Sequence, residues 1–340
     1  MILLSIIIVN WNTSELLVKC LDSILRHPTK VELEIIVVDN DSDEDIISVT
    51  TMFPDLRLIK NANNYGFGVA TNVGFSLTSG KYAMTLNPDT VLESGMIDAL
   101  IETLETDDQI GVCVPVLKGA KVYRSQYFFS SLFFFNSLVA RKLHGLTRRR
   151  ETEMSGSFDV DFITGTGYIC RVSALARGRM FVEDNFLFGE EYFLCREIAA
   201  KGLKISVVPQ AKLQHYTSVT FRDDSDRLIN ASRLGSALGW SIRRDHWGKL
   251  LGFVSGSIIF FENIVKWALL QSSAALGKEL NLKESRMLTQ CESLITSFIP
   301  LISGKEEYIA RANTTAEIFF NNGKKPTYPP VFTEVGRTVT

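Results

Sequence analysis

Four short runs rich in aliphatic residues punctuate the first ninety or so positions: SIIIVN (5–10), LEIIVVDN (33–40), LRLIKN (56–61) and KYAMTLNPD (81–89). Runs of this length and character suit strands covered on both faces. Between them the period changes. SELLVKCLDSILRH (14–27) places apolar residues at helical spacing, with Ser14 as its N-cap. DSDEDIISVTTMF (41–53) opens with acids that favour a helix N-terminus. NNYGFGVATNVGFSLTSG (63–80) runs from a glycine-rich loop into a helix. Strand–helix alternation of this kind predicts an α/β fold, a mostly parallel sheet flanked by helices. Ligands of such sheets bind beyond the carboxyl ends of the strands. Asn10, Asp39, Asn61 and Asp89 fall at those ends.

The second half is less regular. FDVDFITGTGYICRVSAL (158–175) reads as a strand and a turn, and EEYFLCREIAAKG (190–202) as a helix ended by Gly202. LKISVVPQAKLQHY (203–216) is a strand that reaches His215. From about 225 the pattern is helical, and NNGKKPTYPP after 320 looks loose. No internal repeat is visible.

Composition narrows the function classes. A net charge of −2 over 340 residues gives no electrostatic reason for a nucleic-acid partner. Five cysteines (20, 113, 170, 195, 291) lie far apart with no CxxC pair, which argues for reduced thiols in a cytosolic setting. MILLSIIIVNWN has no basic leader and no small-residue cleavage site, so it reads as a first strand and not as a signal peptide.

The candidate chemistry starts at Asp89, delivered by a buried-type strand just after a proline that stops it. A turn cap explains a lone Asp there. With Asp39 at a neighbouring strand end, a second reading opens: one carboxylate can bind a divalent cation bridging a diphosphate, and the other can accept hydrogen bonds from a base or ribose. Gly66, Gly68 and Gly74 do not make GxGxxG, because Thr71 stands three after Gly68, and no GK[ST] follows. A dinucleotide oxidoreductase and a P-loop enzyme both lose support.

SIIIVNWN, VVDNDS, NNYGFGVATNVG and LNPDT, in this order, resemble the nucleotide-sugar half of the family-2 glycosyltransferases. Within that family the rhamnosyltransferase-like enzymes of bacterial O-antigen, capsule and cell-wall assembly are the nearest subgroup. The resemblance covers residues 3–247. It implies a GT-A fold at 1–245, with a nucleotide-sugar half (1–115) and an acceptor half (116–245). Residues 246–320 would form a C-terminal helical extension and 321–340 a loose tail. Val9, Asn10 and Asn12 would line the nucleotide pocket, with Asp39 on the base. Asn64, Gly66, Phe67 and Asn72 would touch the nucleotide sugar. Asn87-Pro88-Asp89 stands where the family carries its DxD-like element, so Asp89 would hold Mg²⁺ or Mn²⁺ with Asn87 in support. His215 would join the metal or diphosphate, and Arg222, Arg233, Arg243 and Arg244 could neutralise phosphate.

On the acceptor side, Gly165, Thr166 and Gly167 would floor the cleft. Glu190-Glu191 stands where the family shows Glu-Asp, one methylene longer at the second position. Glu191 would be the general base, with Glu190 the second candidate. The implied reaction is inverting transfer from a nucleotide-diphospho-sugar, dTDP-L-rhamnose first among them, to a saccharide acceptor on a polyprenyl diphosphate. Rival readings are a nucleotide-sugar-binding protein without turnover and a sugar nucleotidyltransferase. The latter wants a glycine-rich basic loop after the first strand, which VNWNTSE lacks.

Two segments bear on location. SQYFFSSLFFFNSLVARKLHGLTRRR (125–150) pairs aromatic residues with a basic end. HWGKLLGFVSGSIIFFENIVKWALL (246–270) is interrupted by Glu262, Asn263 and Lys266, so its uninterrupted part falls short of the ~20 residues that span a bilayer. Both suit a peripheral enzyme at the cytoplasmic face of a bacterial membrane. Whether residues 246–340 meet lipid or a second subunit of a homo-oligomer stays open.

Overall fold

The computed structural model describes residues 2–118, 156–160, 162–163, 165–175, 178–216, 225–302 and 306–335. The 125–150 segment and Arg222 lie outside the described residues, as do the side chains of Arg233, Arg243 and Arg244.

The predicted alternation is present. Strands β1 (Leu4–Asn10), β2 (Leu33–Asp39), β3 (Arg57–Asn61) and β4 (Tyr82–Leu86) are separated by helices α1 (Ser14–Arg26), α2 (Ile47–Met52) and α3 (Phe67–Phe75). They pair in parallel in the order β3-β2-β1-β4. Every residue of β1 is buried, because the period-2 alternation of side chains feeds two cores. Leu4, Ile6 and Ile8 pack towards α1 and towards α4 (Met96–Thr106). Ile7 and Val9 pack on the other face, towards α3 and α5 (Glu190–Ala200).

Beyond β4 the sheet stops being parallel. The order continues β4-β8-β6-β9-β5, through β8 (Gly167–Arg171), β6 (Ile110–Leu117), β9 (Lys204–His215) and β5 (Thr90–Leu92). A short β7 (Phe158–Val160) hangs on β9. Of these pairings only β6–β9 is parallel. The sheet is therefore mixed, where the sequence predicts a mostly parallel one. The cause is chain direction: β8 enters antiparallel to β4 with Gly167 opposite Leu86, so the start of β8 meets the carboxyl end of β4.

Three helices follow: α6 (Ser225–Ala275), broken at Gly248 (φ 75°), α7 (Leu282–Ile302) and α8 (Glu306–Phe320). The predicted extension at 246–320 is not a single appended unit. The second arm of α6 packs on α7, whereas α8 returns to the α/β body, where Ala316 and Phe320 share a core with Phe186, Leu234 and Leu238. The tail is not loose throughout either. Phe332–Val335 form β10, antiparallel to β3, and Arg57 grips Glu334 through two hydrogen bonds of 2.9 and 3.2 Å. The added strand covers an otherwise open sheet edge.

Candidate active site

The turns after β1 and β2 are knitted together by side chains. Asn10 lies opposite Asp39 in the register; its Nδ2 donates to Asp39 Oδ1 (3.1 Å) and Ser42 Oγ (3.2 Å). Asn10 Oδ1 accepts from the Thr13 hydroxyl (2.9 Å). That bond takes Thr13, the residue in the N-cap position, away from capping α1, and the predicted cap Ser14 is the first helical residue. Asn12, at φ 51°, accepts the Asp43 N–H on its side-chain oxygen (2.8 Å) and donates its own N–H to Ser42 Oγ (2.9 Å). Asp39 is fully buried and Val9 nearly so.

Asn40, a residue the sequence did not single out, is the hub of the next turn. Its Nδ2 donates to Asn64 Oδ1 (2.7 Å) and the Gly66 carbonyl (3.3 Å). Its Oδ1 accepts from Asn61 Nδ2 (2.9 Å) and the Tyr65 N–H (3.1 Å). Gly66 has φ 81°, and a Cβ there would lie 2.0 Å from the Phe186 carbonyl oxygen, so only glycine fits. The next N–H, of Phe67, donates to that same oxygen (3.1 Å). Asn72 sits deeper: its amide makes four hydrogen bonds of 2.9 to 3.0 Å, all to residues 180–183. Its side chain joins α3 to that segment.

Asp89 and His215 are brought together by β5 and β9, which place Thr90 opposite His215. His215 Nε2 lies 3.2 Å from Asp89 Oδ1, and both side chains are mostly shielded from solvent. The turn that carries them is fixed from the other side, where the Asn87 N–H donates to the Thr166 carbonyl (3.0 Å). Next to Thr166, Gly165 supports the Glu pair: a Cβ there would lie 1.7 Å from Glu191 Oε1.

Glu190 and Glu191 open α5, after Phe188 and Gly189, both at positive φ (71° and 85°). Glu190 is 1% exposed, and its Oε1 has no hydrogen-bond partner. Burial, reinforced by the charge of Glu191, pushes the Glu190 carboxyl well above the ordinary carboxylate range. Burial raises Glu191 too, offset by hydrogen bonds from its own N–H and that of Gly165. In the same layer the hydroxyls of Thr85 and Tyr168, opposite one another on β4 and β8, are also buried without partners. Unpartnered buried oxygens are rare in folded proteins and tend to mark working sites. A Cβ on Gly68, in the first turn of α3, would lie 3.2 Å from Glu190 Cγ, so the glycine loop meets the Glu pair directly.

The family model for glycosyl transferase family 2 matches residues 5–175, half of the chain, and ends before α5 and β9. The glycosyltransferase GlyG of Streptococcus pneumoniae serotype 4 is 28% identical over 110 residues, 31% of this chain and 36% of that protein. The uncharacterized glycosyltransferase YwdF of Bacillus subtilis strain 168 is 28% identical over 178 residues, 47% of this chain and 66% of that one. The matches thus span about a third to two thirds of these relatives. The mannosyltransferase PcManGT from Pyrobaculum calidifontis, solved with GDP-Man and Mn²⁺, superposes over 89% of this chain and 88% of its own, at TM-score 0.57 and 16% identity. Staphylococcus aureus TarS 1–349, solved with UDP-GlcNAc, superposes over 92% and 84%, at TM-score 0.52 and 13% identity. These likenesses establish the fold as GT-A. With half its length under the family model, including the strand ends that carry Asn10, Asp39 and Asp89, this chain belongs to glycosyltransferase family 2.

Proposed function

We propose that the chain is an inverting, metal-dependent glycosyltransferase that moves a sugar from a nucleoside-diphosphate donor to a saccharide hydroxyl. One observation carries the reading: the glycine loop (Gly66, Gly68), the Asp89–His215 pair and the Glu190–Glu191 helix start converge on one edge of the sheet, through Phe186, Thr166 and Gly165. Val9, Asn10, Asn12 and Asp39 hold the nucleotide end in this reading. Asn64, Gly66 and Phe67 form the wall beside the sugar.

Glu191 takes the proton of the acceptor hydroxyl as general base. The freed oxygen bonds to the anomeric carbon from the face opposite the diphosphate, the carbon–phosphate-oxygen bond breaks, and the nucleoside diphosphate leaves with the electron pair. A single displacement inverts the carbon. Glu190, raised further by burial, keeps its proton beneath Glu191 and spares the base a second negative charge.

The donor set fits a divalent cation. A carboxylate oxygen and an imidazole nitrogen face each other at Asp89 and His215, and Mg²⁺ or Mn²⁺ needs only one or two protein ligands when a substrate diphosphate supplies more oxygens. Among the described residues no group of three or more His, Cys, Asp or Glu gathers for a metal. When bound, the ion supplies positive charge beside the leaving diphosphate.

The resemblance to the rhamnosyltransferase-like subgroup favours dTDP-L-rhamnose as donor, and that resemblance together with the apolar segments at 125–150 and 246–270 favours a polyprenyl-diphosphate-linked saccharide as acceptor, in bacterial surface-polysaccharide synthesis. The second arm of α6 supports work at a membrane surface. Leu250, Val254, Ile258, Phe261, Val265 and Leu269 are exposed along one face, within an arc of about 100°. Gly252–Ala275 is long and apolar enough by length and composition to cross a bilayer, a reach that stopping at Glu262 and Lys266 conceals. Its other face is committed to α7, where Glu292 accepts from Trp267 Nε1 (3.1 Å), so the arm is better suited to lie along the interface.

Titration of a nucleotide-sugar panel, with Mn²⁺ or EDTA, into wild type, Asp89→Ala and His215→Ala tests the reading. Metal-dependent binding of one donor that both substitutions weaken is the expected result. Donor binding indifferent to metal and to Asp89 would return Asp89 to a turn cap.

A further inference from the structure

We propose that the end of α8 and the turn that follows it are a working part of the donor site, in which Asn321 and Asn313 are positioning residues. The inference rests on the donor-site reading above and adds to it residues far outside the stretch matched by the family model.

Asn321 treats Asn64 as a neighbouring strand would. Its Oδ1 accepts the Asn64 N–H (2.9 Å), and its Nδ2 donates to the Asn64 carbonyl (2.8 Å). The same Nδ2 donates to the Glu317 carbonyl (2.7 Å), which ties the grip to α8. Asn321 is 7% exposed and Asn64 4%, so water is a poor substitute for these bonds. Asn64 in turn carries the turn into Gly66 by accepting its N–H (3.0 Å).

Asn313, two turns earlier on α8, grips the opposite wall. Its Oδ1 accepts the Phe186 N–H (3.0 Å), and its Nδ2 donates to the Asp184 carbonyl (3.2 Å). The Phe186 carbonyl is the group that receives the Phe67 N–H and closes over Gly66. Four residues on, the chain reaches Glu190. The Phe186 ring stacks on Phe320 at 5.4 Å, and Phe320 meets Trp11 edge-on at 5.3 Å. The turn after β1, the glycine loop and the approach to the Glu pair therefore share one support, the end of α8. Hydrophobic packing alone would hold α8 down. The paired amide bonds to peptides outside any strand or helix fix the position of those peptides to a fraction of an ångström, the tolerance that donor binding and catalysis require.

The test is calorimetric titration of dTDP, UDP and GDP, with Mn²⁺, into wild type, Asn321→Ala, Asn313→Ala and a control, Glu334→Gln, which loosens β10 away from the loop. Steady-state kinetics of any competent donor and amide exchange at Gly66 and Phe67 accompany it, all well below each melting temperature. For Asn321→Ala we expect diphosphate binding and donor KM to weaken on the order of ten-fold, with faster exchange at both amides and kcat changed less. For Asn313→Ala the loss falls on kcat, with an acidic limb displaced from that of wild type. Glu334→Gln lowers the melting temperature without either effect. Equal binding and equal KM in wild type and Asn321→Ala, with only a lower melting temperature, would overturn this inference alone. A wild type that binds none of the three diphosphates overturns the donor-site reading, and this inference with it.

Discussion

The Glu191 carboxylate rests against the peptide of Gly165, and Glu190 lies buried beside it with one oxygen unpartnered. Different outcomes follow for the two. Glu191→Gln is expected to cut kcat by about 10²–10⁴-fold while leaving the diphosphate Kd near that of wild type. Unchanged turnover in that variant would mean another base, or a binding protein without turnover. Because burial raises both carboxyls above 4.5, Glu191 in the proposed role of base is charged only at a pH above its raised value. The acidic limb of kcat/KM should therefore lie above the ordinary carboxylate range and move in Glu190→Gln, as a pH profile would show. Stability carries the opposite sign. A carboxyl raised by folding contributes stability below its unfolded value, near 4.5, which is lost as pH rises through the folded value. Glu190→Gln should thus melt above wild type at pH 8, and the gap should narrow towards pH 4.5. Gly165→Ala keeps an ordinary backbone but displaces Glu191, so thermal melting should stay near wild type while kcat falls.

At the scale of elements, the strands that bear the site were legible because each is an aliphatic run ending in a polar residue. Asn10, Asp39 and Asp89 could be placed at sheet ends from SIIIVN, LEIIVVDN and KYAMTLNPD alone. Gly202, with φ 70°, closes α5 as its position implies. Other features had no local signal. Residues 90–117 hold β5, α4 and β6, but their apolar residues serve a central antiparallel exchange that alternation of strand and helix does not announce. The grip of Asn40 on Asn64, and of Asn321 on the same residue, depends on pairs 24 and 257 positions apart. An Asn within NNGKK reads as part of a turn. Asn72 shows the converse: a polar residue in a glycine loop whose amide is wholly engaged within the protein. Gly66 makes the loop testable as a unit. Gly66→Ala combines a left-handed backbone with a Cβ inside contact of the Phe186 carbonyl, and should cost more than about 1 kcal/mol in chemical denaturation and abolish donor binding.

For the whole molecule, α6 divides at Gly248 into an arm against the α/β body and an arm that shows an apolar stripe outward. If the stripe lies on lipid, vesicles containing anionic lipid should carry the wild type upward in flotation, and Phe261→Asp with Val265→Asp should leave it below while donor binding persists. Flotation unchanged by the pair would remove the stripe from the membrane account, and a loss of dimer in solution would assign it to a second copy. The β10 strand has a consequence of another kind, concerning the order in which the chain is made. Asn321 leaves the ribosome 257 residues after its partner Asn64. Until β10 arrives, β3 is an open edge, and until Asn321 arrives the Asn64 N–H lacks its side-chain acceptor. The turn at Asn64 therefore gains its side-chain clamp only after the α/β body and the helices that follow it have been made.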